Sequence, residues 1–179
     1  MSRQQPLALA PPAGYADWSE RSLLDSATRK ALCSLNLAFL NLAVELAEEG
    51  RLKLIAGLPP RAVDALIDPE AQLRLCERLP FALFELRFDD GGFWEGQIAA
   101  AGGVRDAQAA LVVDERIVSF TRTAIMLAWH LAQTRAPGAR LMLGMAPATI
   151  VALASLPVAT SDGLARRVAP ALAARFGSR

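Results

Sequence analysis

The sequence contains one histidine, two cysteines, two lysines and one tyrosine in 179 residues, and only 6% of its side chains are aromatic. With a single histidine and no Cys-x-x-Cys pair, there is no ligand set from which a zinc site could be built, and neither metal nor cofactor is expected. The two thiols, Cys33 and Cys76, fit a reducing compartment, so the expected location is cytoplasmic. Long apolar runs are missing too. The run near the start, Leu7 to Ala10, has four residues, where a secretory signal needs about 7 to 15. The most apolar stretch, Ala31 to Ala47, is interrupted by Ser34, Asn36, Asn41 and Glu45, which suits a buried core helix and not a membrane span of about 20 residues. No membrane partner is expected.

Motifs for catalysis are equally scarce. No Ser, Cys or Lys stands in a nucleophile motif, and Gly57 and Gly144 are isolated and not part of a phosphate-cradling loop. His130 lies between Trp129 and Leu131 in an apolar helix, a setting in which a lone imidazole packs more often than it reacts. Asp89, Asp90 and Glu95 could form a carboxylate group, but Gly91 and Gly92 between them read as a turn. An enzyme is the least supported class, and no small-molecule substrate is expected.

What the chain does have is helical periodicity, an uneven charge and an echo of itself. The spacing predicts an all-α protein with at most one short strand or hairpin near 81–96. A mobile arm is expected over 1–18, with prolines at 6, 11 and 12. A long helix follows from Ser19 or Ser22 to Glu49, with Leu32, Leu35, Phe39, Leu42 and Leu46 on one face. Short helices are expected at 61–67 and, behind the Asp68-Pro69 start signal, at 69–78. Residues 89–105 read as the most flexible internal segment, with Phe93 and Trp94 at its tip as candidate partner-binding side chains. A second long helix runs from Asp106 or Asp114 to Thr134, broken by Pro137-Gly138. Helices at 147–156 and 161–175, the latter kinked by Pro170, complete the expectation.

The net charge of +1 hides a division. Residues 1–116 hold 12 of the 19 basic and 17 of the 18 acidic side chains, a balance of −5, whereas residues 117–179 set seven arginines against Asp162 alone, +6. Helices 147–156 and 161–175 have the proportions of a helix-turn-helix. Arg135, Arg140, Arg166, Arg167 and Arg175 are therefore the candidate nucleic-acid-binding residues, suited to phosphate contact because the second helix carries no Asn or Gln to read bases. Pairing of these arginines with the acidic first half would explain the same split, as would arginine serving as the solubilising cation.

The echo is an internal repeat. Leu42-Ala43-Val44-Glu45-Leu46-Ala47 corresponds to Leu127-Ala128-Trp129-His130-Leu131-Ala132, and Arg51 to Pro60 corresponds to Gly138 to Pro147. Val63 to Leu66 answers Ile150 to Leu153, and Arg87-Phe88 answers Arg175-Phe176, at offsets that drift only from 85 to 88. Two similar multi-helix units, 19–105 and 106–179, would then pack as a pseudo-dimer in one compact body.

At Ser34 to Ala43, Gly57-Leu58 with Ala62 and Leu66, Pro69 to Glu77, and Leu86-Arg87-Phe88-Asp89, the first unit resembles FlhD, the flagellar transcriptional regulator subunit of proteobacteria. The likeness extends through Thr123 to Leu127 and so covers roughly residues 30–135. It implies a helical, oligomeric, DNA-binding activator that works with a second subunit, FlhC, which supplies a zinc site and much of the contact to promoter DNA. The chain departs from the family in carrying a second copy and in placing Phe84 where the family's dimer-linking cysteine stands. The expected partners are thus a second copy or an FlhC-like protein, and duplex DNA. The alternative is a helical adaptor of a motility or secretion system that does not touch DNA.

Overall fold

A computed structural model describes residues 25–64, 66–101 and 113–175. The expected arm at 1–18, Trp18, the Ser19 and Ser22 starts, residues 102–106 and Arg179 lie outside it. The chain is all-α: eight α-helices and one two-stranded sheet occur among the described residues.

The first helix, α1, is Ser26–Glu48. Its cap is Asp25, whose carboxylate accepts from the Thr28 N–H at 2.6 Å, so the helix begins later than the serines suggested. It ends before Gly50, which has φ 68°. A 3-10 turn at Leu52–Leu54 leads to Gly57, then to α2 (Pro60–Asp64) and α3 (Pro69–Arg78). Asp68 caps α3, and Pro69 occupies a first-turn position where its missing N–H costs nothing. Strand β1 (Phe84–Glu85) follows.

Residues 91–101, expected within a flexible loop, form helix α4 (Gly91–Ala101). Asp90 supplies what the paired glycines lack: its side chain accepts from Phe93 N–H and its carbonyl from Trp94 N–H. The second long helix, α5 (Glu115–Thr134), is capped by Asp114. It stops at Arg135, and Pro137 and Gly138 belong to the first turns of the next helix, α6 (Ala136–Leu143), instead of breaking the previous one. Then come α7 (Pro147–Ala154) and α8 (Ser161–Val168). The latter ends seven residues short of Arg175, because Ala169–Ala171 tightens into a 3-10 turn around Pro170 and the chain then extends into β2 (Ala173–Ala174).

The long helices α1 and α5 run antiparallel, tied by Asp25–Arg135 at one end and Glu49–Arg116 at the other. β1 and β2 are also antiparallel, with Phe84 opposite Ala174 and Glu85 opposite Ala173. Ala56 joins the edge: its N–H donates to Leu172 O, and its carbonyl accepts from Ala174 N–H. Between helices and strands sits an aromatic cluster, in which Phe84 meets Phe120 edge-on at 4.9 Å and Phe39 lies 5.9 and 5.8 Å from the two.

The order of long helix, a segment ended by a left-handed glycine, proline-started helix, short helix and two-residue strand occurs over 26–85 and again over 115–174, the segment before the glycine being a 3-10 turn at Leu52–Leu54 in the first and the eight-residue α6 in the second. Gly57 and Gly144 have φ 75° and 70°, a conformation that costs an L side chain about 1 kcal/mol or more. Ile55 and Met142 are buried where their neighbours Leu54 and Leu141 are exposed, and Asn36 and Thr121 are both fully buried polar groups.

Candidate interaction surfaces

The five candidate arginines do not converge. Arg135 lies just beyond α5 and pairs with Asp25 at 2.6 Å. Arg166, on α8, holds Glu115 at the opposite end of α5 through two bonds of 2.5 and 3.0 Å. The length of α5 separates them by about 30 Å. Arg167 donates from Nε to Gln97 Oε1 of α4 at 3.3 Å. Arg175 is half-buried, donates to Met142 O at 2.9 Å and lies 6.0 Å from the Phe81 ring, and burial lowers its pKa from the ordinary guanidinium value. Arg140 is exposed on α6, beside Leu141 in an open groove that Pro137, Gly144 and Met145 also line.

The aromatic tip is likewise a different thing in three dimensions. Trp94 is fully buried, stacked on Phe88 at 5.3 Å with its Nε1 donating to Arg87 O, so it anchors α4 to the body and does not offer itself to a partner. Phe93 is half-buried under the Arg87 guanidinium, 4.5 Å above its ring. Arg87 also pairs with Asp90 and adopts φ 53°, so this corner is a closed structural unit.

Two features that sequence reasoning passed over hold the long helices in place. The first is an ion cluster where α1 ends and α5 begins. Arg116 donates to both Glu49 carboxylate oxygens at 2.7 Å and to Asp114, while Arg51 reaches Asp114 at 2.8 Å. The Arg116 hydrogen bond, with a smaller contribution from its backbone N–H, lowers the Asp114 pKa to about 2. The second is Asn36, an amide in the middle of an apolar helix, whose Nδ2 donates to Phe81 O and whose Oδ1 accepts from Leu83 N–H. Its signal was present in the sequence as one polar residue on a leucine-rich face, and a cap-position aspartate before each long helix was the signal for the first.

Between α1 and α5 runs a shallow groove of about 390 Å³, floored by Leu35, Leu42 and Phe120 and edged by Glu45 and Arg116. Several large apolar side chains also face solvent: Leu141 and Val151 on the second half at 52% and 71%, and Ile67 and Leu73 on the first. No group of three or more His, Cys, Asp or Glu side chains able to hold a metal occurs among the described residues. Compared with protein families, curated proteins and solved structures, the chain matches none.

Proposed function

We propose that this chain is a regulatory subunit that works by protein association, a pseudo-dimer in one polypeptide that leaves contact with duplex DNA to its partner. One observation carries the reading: four of the five candidate arginines, Arg135, Arg166, Arg167 and Arg175, bond to groups of the same chain, while Leu141 and Val151 stand exposed on adjoining helices. A phosphate-binding face needs several cations free to converge on one backbone. An association surface needs apolar side chains that lose water on contact. The antiparallel long helices and antiparallel strands support the pseudo-dimer, since a two-fold axis perpendicular to such elements pairs each with an antiparallel copy. The likeness to FlhD supports a regulatory role beside an FlhC-like subunit.

Light-scattering mass, taken with a duplex-DNA titration at low and moderate salt, tests the reading. The expected result is association, with itself or with an added FlhC-like subunit, that Leu141→Asp combined with Val151→Asp weakens, and little DNA affinity for the chain alone. Salt-steep DNA binding by a monomer, lost when Arg166 and Arg167 become alanine, overturns it, and so does a monomer that ignores both a second copy and the added subunit. DNA-independent association of the complex moves the role to that of an adaptor in a motility or secretion system.

A further inference from the structure

The repeat has diverged at its surface into two faces of opposite character. Val63 to Leu66 answers Ile150 to Leu153, so Asp64 and Val151 hold the same place in the two halves, and both are exposed. On the first half α2 and α3 pack on α1, α3 through Gln72 and Cys76, and no helix among the described residues crosses their outer side. That side presents Ile67 at 62% exposure. Residues 60–78 carry four acidic and three basic side chains, but those next to Ile67 are acidic: Asp64, Asp68 and Glu70. Arg74 pairs with both Asp68 and Glu70, which leaves Asp64 without an ion pair among the described residues. Leu73, also exposed, lies one turn beyond Glu70 on the same side of α3.

On the second half α6 and α7 pack on α5 and present Leu141 and Val151. Residues 136–157 contain no acidic side chain. Arg140, next to Leu141 in the groove of Pro137, Gly144 and Met145, makes no ion pair among the described residues. Arg175 stands behind Gly144, where an added Cβ would meet its Nη2 at 2.9 Å, and brings a second cation to this groove, with Glu85 as its acidic neighbour. One half thus offers apolar side chains ringed by carboxylates, and the other offers apolar side chains beside guanidinium groups.

We propose that the two faces meet between copies of the chain, head to tail, with Leu141 and Val151 of one copy on Ile67 and Leu73 of the next and Arg140 set among Asp64, Asp68 and Glu70. The inference rests on the reading of the chain as an association subunit and names its partner as a second copy. A symmetric contact is disfavoured on either side, because a face laid on its own copy brings Arg140 to Arg140, or carboxylate to carboxylate, whereas the head-to-tail contact joins opposite charges around an apolar centre. Each copy in such an assembly keeps one free face of each kind, so growth continues until a ring closes.

Light-scattering mass over a dilution series of the full chain, with variants mixed in pairs, tests this. The parent is expected to grow beyond a dimer as concentration rises. Ile67→Arg alone, and Leu141→Asp combined with Val151→Asp, are each expected to weaken self-association about tenfold or more. Mixed in equal amounts, these two variants are expected to give a one-to-one dimer and nothing larger, since each keeps the face that the other has lost; the dimer also shows that both are folded. Arg140→Glu, a change at an exposed position, is expected to pair with Ile67→Arg in the same way, so that a folding defect in the aspartate variant does not decide the matter. A parent that stays monomeric at every concentration overturns the inference, and binding of an added FlhC-like subunit by that monomer leaves the regulatory reading standing. Self-association that survives Ile67→Arg also overturns it and assigns the face of Leu141 to a symmetric dimer, and so does failure of Ile67→Arg to pair with either second-half variant.

Discussion

Replacing Asn36 by leucine is the sharpest available test of how α1 is locked to the segment that leads into β1. The side chain is fully buried, and it bonds Phe81 O at 3.0 Å and Leu83 N–H at 2.9 Å, just before β1. Leucine has the same branching and is the larger side chain, so no cavity forms, and any overpacking at this fully buried position adds to the loss. What is lost is the partner of two backbone groups in a half-buried segment, each worth about 1–3 kcal/mol when left unsatisfied. Because water reaches part of this segment, the lower half of that range applies, giving a total of about 2–4 kcal/mol. In a chain of this size that lowers Tm by roughly 4–16 °C. Urea denaturation followed by circular dichroism measures it, with an unchanged m-value as the sign that the fold is kept. Asn36→Asp is the control. It keeps the acceptor for Leu83 but points a carboxylate from a fully buried side-chain position at the Phe81 carbonyl, so its folded pKa lies above the unfolded value and its penalty grows as pH rises from 4 to 7. An Asn36→Leu variant within about 0.5 kcal/mol of the parent refutes the clip as a determinant of stability.

Other expectations follow from single sites. Asp114→Ala removes the α5 cap and the partner of Arg51 and Arg116, and is expected to destabilise by about 1–2 kcal/mol at pH 7. The folded carboxyl titrates at about 2, below its ordinary 3.8, so this stabilisation is complete above about pH 4 and drains away as pH falls toward 2, which parallel melts of parent and variant would show. Gly91→Ala forces α4 off α7 and is expected to lower stability by about 1–3 kcal/mol, whereas Gly96→Ala, with nothing within 4 Å of the added Cβ, is expected to raise it by up to about 1 kcal/mol; chemical denaturation of the pair checks the contrast. Burial pushes the Cys76 thiol up to about 11, so with Cys33 changed to serine the native protein is expected to react with Ellman's reagent at pH 8 only at the rate of local opening, and fast labelling would refute the packing of α3 on α1.

The helices were legible where the sequence carries both periodicity and punctuation. Asp68-Pro69 before an apolar pattern placed a helix start that the structure keeps, and of the two starts open for the second long helix, Asp106 and Asp114, the cap is Asp114. The glycines misled. Gly91-Gly92 reads as a turn, and only the Asp90 cap together with the burial of Trp94 beneath Phe88 makes a helix there; the second of these is a tertiary contact that no local pattern announces. The same limit governs the arginines. A run of positive charge shows in composition, but whether Arg166 faces solvent or Glu115, 51 positions away, depends on how α8 lies against α5. Arg175 was counted on a helix face, yet Pro170 ends the helix early and turns it inward onto Met142 O.

The pairing of β1 with β2 sets the timing of assembly. Phe84 and Ala174 are partners 90 residues apart, and Ala56 waits still longer for Leu172 and Ala174. On a ribosome adding about 5–20 residues per second, the first half must stand for several seconds with its strand edge open and Phe84 without the chain that shields it. Synthesis of β2 is thus the event that closes the molecule, and a chain stalled before residue 172 presents an open edge and an incomplete core to the first surface it meets.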